Sequence, residues 1–211
     1  MNLVRWTDRF RACLHCGSMG GPIDLYCEYC WTKLIHPFRT TGTAQEIEGG
    51  KLFSLFSWSQ SAVGRLLHAL KGESHSSAFE RLAGWFAFER SRFGKVGPLV
   101  LVPAPPKRPF TFDHAHFWAT ALAAHWDAPV WAGLKRTSTD EQKKQGIRER
   151  NQKRLEVLTN LNGAEWAGRK VIFCDDVYTT GATARAAHRA LGEPTDFEVW
   201  TVACRPRIFQ V

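Results

Sequence analysis

The chain has 211 residues and a formal net charge of +8 at neutral pH, with a sequence pI near 9.4. Hydrophobic residues make up 44% and charged residues 23%, proportions that are typical of globular proteins and that exclude disordered and fibrous classes. A mean hydropathy of −0.28 argues against a membrane protein, and six cysteines are too few for a disulfide-built scaffold. We therefore expect an ordinary hydrophobic core.

The N-terminal residues 1–11 contain charges that interrupt every apolar run, so they do not resemble a secretory signal. The longest apolar stretch, Pro98 to Pro106, is too short and too rich in proline to span a bilayer. We therefore expect a cytoplasmic protein, in which thiols stay reduced and clustered cysteines bind metal more often than they form disulfides.

Four cysteines form two C-x-x-C pairs near the start of the chain: Cys13, Cys16, Cys27 and Cys30. In such a turn both thiolates reach the same cation, and two turns complete a tetrahedral zinc site. Because four protein ligands leave no open coordination position, we expect a structural zinc. Two disulfides, a redox dithiol, or His15 in place of one cysteine are the alternatives.

The chain divides into three predicted parts: a zinc-binding module over residues 1–37, a linker over 38–50 that ends in Gly-Gly, and a main domain over 51–211. Hydrophobic periodicity predicts the elements of the main domain, which are, in chain order, helices near 63–70 and 79–86, a strand at 99–102, a helix over 117–126, a strand starting at 129–131, a strand at 171–174, a helix over about 180–191 and a strand at 197–203. Strands alternating with helices predict an α/β fold with a mostly parallel sheet.

One segment, Val171 to His188, has the pattern of a phosphate site. A hydrophobic strand precedes Asp175 and Asp176, and a loop rich in threonine and glycine, 179–183, opens the next helix. Unpaired backbone N–H groups and the positive end of a helix dipole at such a place attract a phosphate. Gly181, which has no Cβ, allows close approach of the ligand.

The two carboxylates would repel a phosphate that they faced directly. They are consistent with a ribose 5-phosphate, whose hydroxyls donate to the carboxylates, or with Mg²⁺ held through water, while the loop takes the phosphate. The alternative is a loop whose Asp and Thr side chains only cap the helix.

The sequence from Cys174 to Thr183 resembles the phosphoribosyl pyrophosphate (PRPP) signature of type I phosphoribosyltransferases. This resemblance implies that Asp175 and Asp176 are the catalytic pair that holds the ribose 2′- and 3′-hydroxyls. It also implies Mg²⁺ with PRPP and a loop that binds the 5′-phosphate, formed by Val177, Tyr178, Thr179, Thr180, Gly181, Ala182 and Thr183.

With the four-cysteine module, the whole chain is similar to the ComF/GntX family, which is linked to competence for DNA uptake. Further resemblances are the segments 66–71, 99–105 and 134–136, and the pair Arg148 and Asn151. The chain departs from the family at 111–115, where Phe112 alone remains of an Arg-Gly-Phe-Asn-Gln segment.

Residues 135–154 contain eight basic and three acidic side chains, a local charge of +5. Such a segment is a solvated loop, a contact for single-stranded DNA or, as the resemblance to type I phosphoribosyltransferases implies, a loop that closes over pyrophosphate. The residues considered for the last two roles are Lys135, Arg136, Arg148 and Arg150.

The resemblance implies two candidate functions. The first is a PRPP-binding, phosphoribosyltransferase-like protein that acts in DNA uptake and natural transformation. We expect such a protein to contact single-stranded DNA or its processing machinery, for example a competence helicase or a recombination mediator. The second is an active phosphoribosyltransferase that transfers the phosphoribosyl group to an unknown small acceptor.

Overall fold

A computed structural model describes residues 13, 15–19, 26–40, 44–58, 62–70, 76–107, 113–136, 155–157 and 168–205. The strands are, in chain order, β1 (Gln45–Ile47), β2 (Gly50–Ser57), β3 (Leu99–Pro103), β4 (Leu134–Arg136), β5 (Leu155–Val157), β6 (Lys170–Tyr178) and β7 (Phe197–Cys204). Five of them form one sheet in the order β1-β2-β7-β6-β3, while β4 and β5 form an antiparallel pair. In the large sheet β2, β7, β6 and β3 are parallel and only β1 is antiparallel, which confirms the predicted α/β class.

The helices are α1 (Glu28–Cys30), α2 (Val63–Leu70), α3 (Ser76–Ser91), α4 (His114–Trp126) and α5 (Ala182–Ala190). Alternate side chains of the strands pack on opposite faces of the sheet, as the pleat requires. Ile172 and Trp200 pack on the face that α2, α3 and α4 cover, and Phe173 and Val199 pack on the face of α5. All eight residues of β7 are buried, as expected for a central parallel strand that is covered on both faces.

Several elements differ from the sequence prediction. No strand was predicted at β2, and residues 129–131 form only an isolated bridge between Val130 and Leu101. Helix α4 begins at His114 because the Asp113 carboxylate accepts the N–H of His116 at 2.9 Å. Strand β6 continues to Tyr178, so the two predicted acids lie within the strand.

The N-terminal cysteine module packs directly on the main domain. Its buried residues Cys30, Trp31 and Ile35 belong to the same core as β2 and α3. The Trp31 ring lies 6.0 Å from the ring of Phe56 and 5.2 Å from the ring of Trp85, measured between centroids. Within the predicted linker, β1 pairs with β2, so this part of 38–50 belongs to the sheet. The division of the chain into three parts stays a prediction.

Candidate functional site

A cleft of about 650 Å³ lies at the edge of the sheet where the parallel strands β2, β3, β6 and β7 end. Ligands of open parallel sheets bind at this edge, since the loops that follow the strands converge there. The polar and charged side chains around the cleft are Lys107, Asp113, His114, Arg136, Asp175, Asp176, Tyr178, Thr179 and Thr183. Gly181, Ala182 and Val177 complete the side formed by β6 and its loop.

Asp175 and Asp176 both line the cleft, as the sequence predicted. The N–H of Asp176 donates to Oδ1 of Asp175 at 2.9 Å. Burial, followed by the negative charge of Asp176, raises the pKa of Asp175 to about 8, although the Arg136 guanidinium opposes the rise. A ligand that offers hydroxyl donors or a cation would therefore stabilise the ionised form of this carboxyl group.

The loop after β6 brings backbone N–H groups to the same cleft. Gly181 has φ +75°, and a Cβ at this position would collide with the Tyr178 hydroxyl, so the loop conformation requires glycine. Thr179, Gly181, Ala182 and Thr183 line the cleft, and Thr183 is buried. The predicted hydroxyl of Thr180 is not in the lining. Its Oγ1 accepts the N–H of Ala182 at 3.4 Å instead, which is the capping role considered as the alternative.

Arg185, on the first turn of α5, forms a hydrogen bond to the backbone of this loop. Its Nη1 donates to the carbonyl oxygen of Thr180 at 3.0 Å, and its Nε lies 3.6 Å from a carboxylate oxygen of Glu48. In a trans peptide the N–H points away from the preceding C=O. Fixing the Thr180 carbonyl toward Arg185 therefore directs the N–H of Gly181 to the opposite side of the loop. The sequence analysis did not identify this role for Arg185.

The predicted basic residues have different positions. Arg136 lines the cleft, and its Nε donates to the Pro105 carbonyl oxygen at 3.0 Å. Lys135 is exposed and is not among the residues that line the cleft. Arg148 and Arg150 lie outside the described residues.

The sequence analysis did not identify Trp58, Lys107, Asp113 and His114 as site residues of the cleft. The predicted strand at 99–102 with its prolines contained a signal for Lys107, because a residue shortly after a parallel strand lies at the ligand edge. Trp58 had no such signal, since β2 itself was not predicted.

The four predicted zinc ligands come together in one cluster. Their sulfur atoms all lie within 4.8 Å of one another, and Sγ of Cys16 is 3.6 Å from Sγ of Cys27. A tetrahedral site with Zn–S bonds of about 2.3 Å has sulfur–sulfur edges of about 3.8 Å, so the cluster has the size that zinc requires. All four cysteines are free thiols, and Cys13 and Cys30 are buried.

Local hydrogen bonds favour the thiolate of Cys27, whereas burial raises the pKa of Cys30. The Ser18 hydroxyl, the N–H of Cys30 and the Cys16 thiol lower the pKa of Cys27 to about 6 against the effect of burial. Gly17, at φ +74°, donates its N–H to the Cys13 carbonyl at 2.9 Å and so closes the first turn. Because the ligands are four thiols that can lose their protons, the donor set suits zinc.

No helix among the described residues has the length and hydropathy needed to cross a membrane.

Comparisons with known proteins give one sequence relative and several structural likenesses. The chain is 37% identical over 106 residues to the competence protein ComFC of Bacillus subtilis. The match covers 49% of this chain and 43% of that protein, so less than half of the relative's length is spanned. No protein-family model matches the chain.

The similar solved structures include a hypoxanthine phosphoribosyltransferase of Trypanosoma cruzi, 20% identical, with a TM-score of 0.39. The alignment covers 64% of this chain and 75% of that enzyme. Another is an alanine mutant made to analyse an invariant aspartic acid in HPRTs, 19% identical, with a TM-score of 0.39 and coverages of 68% and 80%. The sequence match to the competence protein thus covers about half of this chain, and the sheet places the chain in the α/β class with a four-cysteine cluster near its start.

Proposed function

We propose that the chain binds PRPP in the cleft at the end of β6 and acts as a phosphoribosyltransferase-like protein in DNA uptake during natural transformation. The observation that carries the proposal is that Asp175 and Asp176 share one cleft with the glycine loop at the start of α5. This arrangement offers acceptors for the hydroxyls of a sugar and donors for its phosphate within a single site.

Each part of the ligand has a matching group. The backbone N–H groups of 179–183 and the N-terminal end of α5 attract the 5′-phosphate, while Asp175 and Asp176 accept from the ribose 2′- and 3′-hydroxyls. Arg136 supplies positive charge beside the carboxylates for the pyrophosphate. Mg²⁺, when bound with PRPP, would neutralise pyrophosphate charge.

The described part of the chain gives the DNA contact less support than the sugar site. Lys135 and Arg136 begin the basic segment 135–154, and Arg136 stands at the cleft, so the positive segment is connected to the site. A charged segment of this kind tracks a single-stranded phosphate backbone. We propose that the protein acts in the cytoplasm. Its proposed partners are single-stranded DNA and a competence helicase or a recombination mediator.

A second candidate is transfer of the phosphoribosyl group to a small nucleophile with release of pyrophosphate. The raised pKa of Asp175 favours it, because perturbed carboxyl groups cluster in catalytic clefts. As the bond from C1′ to pyrophosphate breaks, positive charge develops on the ribose ring, and Asp176, together with Asp175 once its proton is lost, would stabilise it.

Thermal unfolding with PRPP and Mg²⁺ tests the proposal. We expect PRPP to raise the Tm of the wild type, and the double variant Asp175→Ala, Asp176→Ala to fold but to lose this shift. An equal shift in both proteins would contradict the site. Fluorescence anisotropy with a labelled oligonucleotide at increasing salt tests the DNA contact. Pyrophosphate release from PRPP that depends on an added acceptor, without DNA binding at low salt, would favour the second candidate.

A further inference from the structure

Trp58 forms part of the cleft wall and has no role in the proposed function so far. It directly follows β2, and its backbone N–H donates to the Cys204 carbonyl at 2.7 Å. The side chain is half-buried because part of it packs against the core. A large aromatic ring is therefore held in place at the mouth of a polar cleft.

A guanidinium group accompanies this ring. The Cζ of Arg205 lies 5.4 Å from the centroid of the Trp58 ring, within the range of a cation–π contact. The N–H of Arg205 donates to the Tyr178 carbonyl at 2.9 Å. The strands β6, β7 and β2 are neighbours in that order; β6 ends at Tyr178, and Arg205 and Trp58 directly follow the ends of β7 and β2.

The spacing of the strands relates this pair to the sugar site. Neighbouring strands of a sheet lie about 4.8 Å apart, so the end of β2 is about 10 Å from the end of β6 across β7. A ribose held at Asp175 and Asp176 would therefore lie one strand away from Arg205 and two from Trp58. A planar ring joined to C1′ covers a distance of this size, whereas a ribose alone does not.

We propose that Trp58, with Arg205 beside it, is a stacking wall for a planar heteroaromatic group attached to C1′ of a ribose 5-phosphate. This inference rests on the proposed function and narrows its ligand to the nucleotide class. Aromatic rings stack on any base, because every base has a π face. The indole therefore contributes affinity with little preference between purine and pyrimidine.

Calorimetric titration with ribose 5-phosphate, AMP and UMP tests the wall, since these probes share the sugar phosphate and differ in the base. We expect the wild type to bind AMP and UMP about tenfold more tightly than ribose 5-phosphate. The variant Trp58→Leu should lose this difference and keep its affinity for ribose 5-phosphate, and Trp58→Phe should retain most of it. Phe88→Leu, which changes an exposed aromatic residue outside the cleft lining, is the matched control and should bind as the wild type does.

Equal affinity of the wild type for all three probes would overturn the inference while leaving the proposed sugar site intact, and this comparison does not require any variant to fold. Equal weakening of all three probes in a folded Trp58→Leu protein would also overturn it. Failure of the wild type to bind any of the three probes would also overturn the inference, whereas the proposed function is refuted only if PRPP with Mg²⁺ fails to raise the Tm.

Discussion

The variant Asp175→Asn gives the sharpest test of the cleft, because it should stabilise the protein and remove its ligand response together. Burial and the charge of Asp176 raise the pKa of Asp175 from 3.8 to about 8 in the folded chain. The folded protein then keeps a proton that the unfolded chain has lost across this pH range. Its free energy of unfolding must therefore fall as the pH rises from about 4 to about 8.

The size of the effect follows from the same shift. One pKa unit corresponds to about 1.4 kcal/mol, so the full shift sets an upper bound of about 6 kcal/mol. Asp175 is partly exposed, and water screens part of this penalty, so we expect about 2 kcal/mol at pH 8.5. An asparagine of the same shape carries no charge and avoids the penalty.

Urea unfolding followed by tryptophan fluorescence at pH 5 and pH 8.5 measures this difference. We expect Asp175→Asn to be about 2 kcal/mol more stable than the wild type at pH 8.5, and the difference to be smaller at pH 5, where only part of the penalty is present. Glu193→Gln, which removes an exposed carboxylate after α5, should show no such pH dependence. PRPP with Mg²⁺ should raise the Tm of the wild type and not that of Asp175→Asn. A stability difference that is the same at both pH values would refute the reasoning.

Two further variants test the loop and the cysteine cluster. Arg185→Ala should weaken ribose 5-phosphate binding about tenfold in a titration, because the Thr180 carbonyl loses its donor, whereas Arg189→Ala removes the same charge from an exposed position of the same helix and should change little. Equal losses in the two variants would indicate a charge effect and not a positioned loop. Cys27→Ser should reduce the zinc content measured by mass spectrometry and lower the Tm, and unchanged zinc would contradict the proposed ligand set.

The strand–loop–helix at the candidate site could be predicted because its signals are local. An apolar run, two acids and a glycine loop lie within one segment, and β6 and α5 form there with boundaries shifted by a few residues. The cysteine cluster was equally accessible, since the C-x-x-C spacing fixes which sulfur atoms can meet. In the first case the residues are near one another in sequence. In the second, the two C-x-x-C pairs have the spacing that is typical of a zinc site.

The rest of the cleft depends on which strands become neighbours, and local patterns do not contain that information. Strand β2 follows Gly49 and was missed, and its parallel pairing with β7 joins residues 51–57 to residues 198–204. Trp58 reaches the cleft only through this long-range pairing. Lys107 reaches it because β3 lies beside β6. The sequence therefore predicted the part of the candidate site that comes from β6 and its loop. It did not predict Trp58 and Lys107, whose positions depend on the pairing of strands.

The same pairing connects the cysteine module to the cleft. Trp31, which follows the last cysteine of the cluster, packs its ring against Phe56, and Phe56 lies in β2 two residues before Trp58. Since Trp31 also packs against Trp85 of α3, the module supports one face of the strand that carries the proposed stacking wall. A zinc ion that folds the module would therefore help to fix the position of Trp58, although it lies outside the cleft. A module of this kind is part of the framework of the site and not a separate appendage, because its buried residues and those of β2 form one continuous core.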